Sequence, residues 1–179
     1  MRTIFRQADN PLKTGVPGRM DVIRLERGQT RTVHDADSVQ ADWIGSGVAF
    51  VVYEARRKRG FVAHVLQTDW EHRGSPTAPP PALEDLKGWL DETGASPSEV
   101  RAVVAGGAQP LNAGEDPRLR PGEGLSRAVT TGLRSLGIDH ICEDTGGSMG
   151  RSLKLNCRNG VVDVVQGQGS STTHFRLGG

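Results

Sequence analysis

The 179-residue sequence has few of the features that mark several large classes of protein. Its only two cysteines, Cys142 and Cys157, are too few for a disulfide framework and lack the clustered spacing of a zinc site. The 22 basic and 21 acidic residues leave a formal charge of +1, without the overall field of a dedicated nucleic-acid binder. No apolar run approaches the roughly 20 residues of a membrane-spanning helix. These absences predict a cytoplasmic protein that neither binds nucleic acid nor inserts into a membrane.

Aromatic residues are also scarce, at 4% of the chain, whereas 24 residues are glycine and 10 are proline. This composition favours a turn-rich β or α/β protein over a helical bundle, and the length fits a single domain. Residues 1–19 carry basic side chains but no apolar h-region, so they predict a flexible leader rather than a secretory signal. We therefore expect one folded domain at residues 20–166, followed by a flexible tail at residues 167–179.

Apolar patterns within the domain predict six or seven strands and two helices. The run from Val48 to Tyr53 is typical of a strand buried on both faces, and the run from Phe61 to Leu66 predicts a second strand joined to it by a hairpin. The basic run Arg56 to Arg59 in that hairpin is interpreted as a solvated turn. Further strands are predicted at Val22 to Leu25, Val100 to Ala105, Ile138 to Glu143, Ser152 to Cys157 and Val161 to Val165. The helices are predicted from Leu83, Leu86 and Leu90, and from Leu125, Val129, Leu133 and Leu136.

Three features of the chain can carry chemistry. The Gly45-Ser46-Gly47 turn precedes the buried strand and can present backbone amides or a nucleophile at the end of that strand. His64 lies inside an apolar strand, where its ring must either be hydrogen-bonded in the core or face a cleft. Cys142 is a thiol that can be reactive, although a small core residue is the more ordinary interpretation.

Nothing in the sequence indicates a bound metal or cofactor. Asp69, Glu71 and His72 form a loose cluster, but they have neither the spacing of a zinc-binding helix nor that of a calcium loop. We therefore expect no metal site and no cofactor.

Five motifs occur in an order and spacing that resemble the chemoreceptor glutamine deamidases of bacterial and archaeal chemotaxis, the CheD family. The motifs are Gly45-Ser46 before a strand ending in Tyr53, Gly60-Phe61-Val62-Ala63-His64-Val65-Leu66, Ala105-Gly106-Gly107-Ala108, Leu136-Gly137-Ile138, and Glu143-Asp144-Thr145-Gly146-Gly147 with Gly150-Arg151-Ser152. The resemblance runs from about Val22 to Val165. It implies a compact single-domain α/β sandwich of mixed β-sheets with two principal helices.

The resemblance also implies a chemistry and shows where this chain departs from it. In the family, a cysteine thiolate activated by a histidine of the neighbouring strand attacks the side-chain amide of glutamine; ammonia leaves, and water hydrolyses the thioester. The histidine corresponds to His64, but the cysteine corresponds to Gly47, and a threonine that orients the histidine corresponds to Ala41. Neither replacement can supply the missing group. The family's Gly-x-Arg-Asn before the second helix is also replaced, by Gly122-Glu123-Gly124-Leu125.

Two functions follow from this resemblance. The first is a catalytically inactive signalling protein that binds the cytoplasmic helices of a chemoreceptor or a CheC-type phosphatase. The second is an active protein-glutamine amidohydrolase in which Ser46 or Cys142 replaces the missing nucleophile and works with His64. The Ser46 hydroxyl is expected to face away from His64, because successive residues of an extended chain point to opposite sides.

Overall fold

The structure is a computed structural model that describes residues 22–35, 37–68, 79–109, 111 and 121–178. The predicted leader at residues 1–19 and the loose cluster of Asp69, Glu71 and His72 lie outside these described residues. The strands of the described chain are β1 (Val22–Leu25), β2 (Thr30–His34), β3 (Ser38–Ile44), β4 (Val48–Glu54), β5 (Arg59–Val65), β6 (Val100–Gly106), β7 (Ile141–Thr145), β8 (Arg151–Asn156), β9 (Val161–Gln166) and β10 (Ser171–Arg176). Its α-helices are α1 (Pro81–Thr93) and α2 (Pro121–Ser135), and a 3-10 turn spans Pro97–Glu99.

The strands form two five-stranded sheets, each of which mixes parallel and antiparallel pairs. The first sheet has the order β1-β3-β8-β9-β10, and the second has the order β2-β5-β4-β6-β7. The pairs β1–β3 and β6–β7 are parallel, whereas the other pairs are antiparallel. Both helices pack on the second sheet, and no helix among the described residues is long and apolar enough to cross a membrane. The predicted α/β sandwich of mixed sheets with two principal helices is confirmed.

Strand β4 lies at the centre of the second sheet and is buried along its whole length. Phe50 and Val52 face the core beneath the helices, whereas Val51 and Tyr53 face the core between the two sheets. The Tyr53 hydroxyl donates a hydrogen bond of 2.8 Å to the carbonyl oxygen of Cys157 across that second core. Because both faces of this sheet are covered, β4 needs the continuous apolar run that predicted it.

The hairpin between β4 and β5 is anchored by a buried ion pair. Glu54 is 1% exposed and lies opposite Arg59 in the antiparallel ladder, where it accepts a hydrogen bond from the guanidinium of that arginine. Arg59 also donates to the carbonyl oxygen of Thr93 at 3.0 Å and lies over the Trp89 ring, 5.9 Å from its centroid. The prediction of a solvated basic turn is therefore wrong for Arg59, because the ladder brings this residue onto a buried carboxylate and the end of α1.

Three strands are absent from the sequence prediction. In β3 a bulge between Ala41 and Ile44 breaks the alternation, and Trp43 within it has a φ of 57° and a side chain that is 76% exposed. β2 and β10 are edge strands with mostly polar side chains, so their apolar alternation is weak. The predicted flexible tail is wrong over Ser171–Arg176, because this segment pairs with β9 as β10 and packs Phe175 against the core.

Candidate functional site

The Gly45-Ser46-Gly47 turn joins β3 to β4 and so carries the chain from the first sheet to the second. Two backbone hydrogen bonds hold it: the Gly107 N–H donates to the Gly47 carbonyl at 2.7 Å, and the Ala108 N–H donates to the Gly45 carbonyl at 2.9 Å. Gly106 has a φ of 121°, and a β-carbon there would lie 2.5 Å from the Gly47 oxygen. The close approach of these two loops therefore requires a glycine at position 106.

His64 faces this turn from the neighbouring strand. Its residue pairs with Ala49 in the β4–β5 ladder, and its side chain is almost fully buried, at 2% exposure. A β-carbon built on Gly47 would lie 3.6 Å from the Nε2 atom of His64. A thiol on that carbon would therefore be within hydrogen-bonding reach of the ring. The structure thus brings together the two positions that the resemblance assigns to the catalytic histidine and the nucleophile.

The environment of His64 favours a neutral ring. Burial lowers its pKa, and the nearby positive charge of Arg27 lowers it further. The Nδ1 atom is buried and has no hydrogen-bond partner within the described part of the chain. Leaving such an atom unsatisfied costs about 1–3 kcal/mol. With its pKa lowered, the ring is uncharged at neutral pH, its Nε2 atom lies towards Gly47, and no described residue holds Nδ1.

Ala41 lies in β3 and is fully buried in the core between the two sheets. Val62 of β5 belongs to the same core, and His64, two residues further along that strand, points to the same side of the sheet. A methyl group in this layer can neither donate nor accept a hydrogen bond. The alanine that replaces the expected threonine and the unpartnered nitrogen of the histidine thus lie in the same interlayer space.

Of the two alternative nucleophiles, Ser46 adjoins this pair in the chain and Cys142 lies apart from it. Ser46 is exposed in the middle of the turn, whereas Cys142 is on β7. Three strand spacings separate β7 from β5, about 14 Å, so Cys142 is too distant for a hydrogen bond to His64. Cys142 is also exposed, so its interpretation as a core residue is wrong. Cys157 is the buried thiol, and burial together with two nearby aspartates raises its pKa to about 12.

A buried ion pair closes the space between the sheets beside the site. Asp144 points from β7 towards the first sheet and accepts a hydrogen bond of 2.9 Å from Nε of Arg151, the first residue of β8. The same guanidinium donates to the carbonyl oxygens of Gly146 and Met149, at 2.8 and 3.0 Å. Gln166 of β9 also donates to Asp144, at 2.9 Å. Asp144 and Arg151 therefore hold the loop after β7 in place, a role that their spacing in the sequence alone did not predict.

This loop is connected in turn to the glycine pair Gly106-Gly107 at the site. The Gly146 N–H donates to the Gly106 carbonyl at 2.9 Å, and the Gln109 N–H donates to the Gly147 carbonyl at 2.8 Å. The loops after β3, β6 and β7 are thus connected through their backbones. Such connections give the turn a fixed position relative to His64.

The first turn of α2 packs directly on the same glycine pair. A β-carbon on Gly122 would lie 2.6 Å from the carbonyl carbon and oxygen of Gly107, so only glycine fits between helix and loop. Leu125 is fully buried in the core beneath the helices. The position at which the family has asparagine therefore contributes packing here and no polar group.

The features described so far define a two-sheet α/β sandwich in which a buried, neutral histidine faces a glycine at the turn between the sheets. A family model described as CheD chemotactic sensory transduction matches residues 81–166. The chemoreceptor glutamine deamidase CheD of Halalkalibacterium halodurans is 30% identical over 143 residues, which cover 76% of this chain and 88% of that protein. This chain belongs to the CheD family.

Other relatives show a similar likeness over most of their length. A probable chemoreceptor glutamine deamidase CheD of Desulfitobacterium hafniense is 30% identical over 80% of this chain and 92% of its own. The corresponding protein of Methanococcus vannielii is 29% identical over 82% of this chain and 96% of its own. A solved structure, the hypothetical protein YfiH of Bacillus licheniformis, covers 62% of this chain with 13% identity and a TM-score of 0.37, which is too low to assign a fold.

Proposed function

We propose that this CheD-family protein binds a chemoreceptor or a signalling partner and does not hydrolyse glutamine amides. The observation that carries the proposal is the geometry at Gly47, where a β-carbon would lie 3.6 Å from His64 Nε2 but the residue has no side chain. Covalent amide hydrolysis needs a nucleophile beside its base. Here the histidine that could act as the base is present, and position 47 beside it has no side chain to act as a nucleophile.

The second support is the loss of the group that would orient the base. A catalytic histidine works from a fixed tautomer, which a hydrogen bond to its other ring nitrogen provides. In this chain Nδ1 of His64 has no partner among the described residues, and the buried Ala41 supplies none. A ring without that hydrogen bond is a poorer base even where a nucleophile is supplied.

The third support is the retention of the scaffold around the absent nucleophile. The Asp144–Arg151 pair and the backbone hydrogen bonds among the three loops are all in place. Loops that are held in place in this way favour binding, because they lose little conformational freedom when a partner docks. By family resemblance, the partner is the cytoplasmic helical region of a chemoreceptor or a CheC-type phosphatase.

The alternative is an active amidohydrolase, and the neutral state of His64 is the observation that favours it. A histidine whose pKa is lowered by burial is unprotonated at pH 7 and can accept a proton. Ser46, directly before Gly47, is then the better replacement nucleophile, because Cys142 lies three strands from β5.

Parallel activity and binding assays on one receptor fragment test the proposal. Purified protein is incubated with a glutamine-bearing cytoplasmic fragment, and released ammonia and bound fragment are measured, with the Halalkalibacterium relative as the positive control for ammonia. We expect binding without ammonia release above background. Release that is lost in both Ser46→Ala and His64→Ala would establish the alternative, and failure to bind both the receptor fragment and a CheC-type phosphatase would refute the binding function.

A further inference from the structure

A groove of about 280 Å³, lined mostly by charged and hydroxyl-bearing residues, lies between α2 and β7. One face of the helix lines it with Arg127, Thr130 and Arg134, and the strand lines it with Glu143 and Thr145. β7 is the last strand of the second sheet, so its outer edge pairs with no other strand of the described chain. The groove is therefore bounded by a helix on one side and by an open sheet edge on the other.

The hydrogen-bond pattern of β7 leaves backbone groups at that edge without a strand partner among the described residues. The His140 carbonyl accepts from Ala102, and the Gly146 N–H donates to Gly106, so these two residues bond inwards to β6 and the loop that follows it. In a parallel pair, inward and outward residues alternate. Glu143 and Thr145 therefore present their N–H and C=O groups outwards. Such a row of free donors and acceptors is a template for a further strand.

A side chain in the groove also lacks a partner. Thr130 is 5% exposed, and its Oγ1 atom is buried without a hydrogen bond in the described structure. Buried hydroxyl groups in folded proteins nearly always have a partner. A polar group of a bound ligand at this position would provide one.

Charge determines which kind of strand fits the edge. Arg127 is neutralised by Glu123 at 2.9 Å, whereas neither Glu143 of the strand nor Arg134 of the helix makes an ion pair with any described residue, so the carboxylate of Glu143 is the uncompensated charge on the strand side of the groove. A second copy of this chain is disfavoured, because antiparallel pairing of two β7 edges about Glu143 places like charges opposite each other. A basic side chain at that position would instead be attracted.

We propose that the groove binds an extended peptide segment of a partner protein, which adds to the free edge of β7 and places a basic side chain against Glu143. Main-chain hydrogen bonds to Glu143 and Thr145 supply affinity, and the side chains facing α2 supply selectivity. This assignment rests on the proposed binding function, because it specifies the conformation and charge of one segment of the partner that the protein is proposed to bind. Gly146, at one end of the groove, is hydrogen-bonded to Gly106 of the site.

The test uses the full chain and two fluorescein-labelled peptides, Thr-Val-Thr-Lys-Thr-Val-Thr and its counterpart with glutamate in place of lysine. Fluorescence anisotropy should show that the lysine peptide binds about fivefold more tightly, as expected for a cross-strand charge pair. Glu143→Lys should reverse this preference. The matched control Glu99→Lys makes the same charge change at an exposed residue outside the groove and should leave the preference unchanged.

Peptide backbone methylation tests strand addition without altering the protein. N-methyl groups on the alternate amides that face β7 should abolish binding, whereas methyl groups on the other alternate amides should weaken it less. Equal binding of the lysine and glutamate peptides, no binding of the lysine peptide at about 1 mM, or equal effects of the two methylation patterns would overturn the proposal. If receptor-fragment binding persists in those cases, only the groove assignment fails and the proposed function stands.

Discussion

Replacing Arg59 with glutamine should destabilise this protein far more than the same replacement at the neighbouring Arg56. The Glu54 carboxylate is 1% exposed, and Arg59 is its better-buried partner, at 18% exposure of the side chain. Removing one member of a buried pair costs about 3–5 kcal/mol because the other charge is left uncompensated. Arg57 still donates to Glu54 at 2.8 Å and reduces this loss. With the lost cation–π contact to Trp89, we expect a net destabilisation of about 3 kcal/mol.

Thermal and urea unfolding followed by circular dichroism measure this difference. For a domain of this size, about 3 kcal/mol lowers the Tm by roughly 6–12 °C. Arg56→Gln removes an exposed charge and should change stability by less than about 0.5 kcal/mol. Adding Glu54→Gln to Arg59→Gln should recover part of the loss, since no buried charge then remains. Equal Tm values for the two single variants would show that Arg59 is solvated and that the buried-pair reasoning is wrong.

Three further predictions concern the site and the thiols. In the double variant Gly47→Cys with Ala41→Thr, iodoacetamide should alkylate the new thiol below pH 7 faster than it alkylates Cys142. A further His64→Ala change should remove that advantage. If the new thiol instead titrates near pH 8.5 like an ordinary cysteine, His64 and position 47 do not face each other. In the native wild type treated with iodoacetamide at pH 8, mass spectrometry should find Cys142 modified and Cys157 protected, since Cys157 is buried and its pKa is raised to about 12. Rapid modification of both thiols would contradict the burial of Cys157. Because the pKa of His64 is lowered on folding, the unfolded state binds more protons than the folded state at acid pH. The contribution of His64 to stability is therefore complete above about pH 6.5 and declines as the pH falls below that value. Urea titrations in which wild type and His64→Phe show the same acid dependence would refute this.

The parts of the fold that could be predicted are those with a strong local pattern. β4 and β5 were predicted because both faces of their sheet are covered, which requires continuous apolar runs. β3 was missed because its bulge at Trp43 breaks the alternation on which strand prediction depends. β10 was missed because it is an edge strand with mostly exposed polar side chains.

The site was predictable only where a motif implied a position. The resemblance assigned His64 and Gly47 to one site, and the structure places them on facing elements. The function of Arg151 was not predictable, because its partner Asp144 comes from the other sheet and their spacing in sequence has no regular meaning. The burial of Arg59 depends in the same way on Trp89 and α1, which lie far along the chain.

The close approach at Gly47 bears on how readily a side chain can be introduced at this position. A β-carbon there would lie only 2.8 Å from the carbonyl oxygen of Val65, a distance that real side chains avoid. That oxygen belongs to the backbone and cannot turn aside as a flexible side chain can. A cysteine introduced at this position would therefore need a small shift of the backbone before its thiol could lie beside His64. A side chain can be placed at position 47 only if the turn and the end of β5 move slightly apart, so the backbone packing of the turn limits which residues this position accepts.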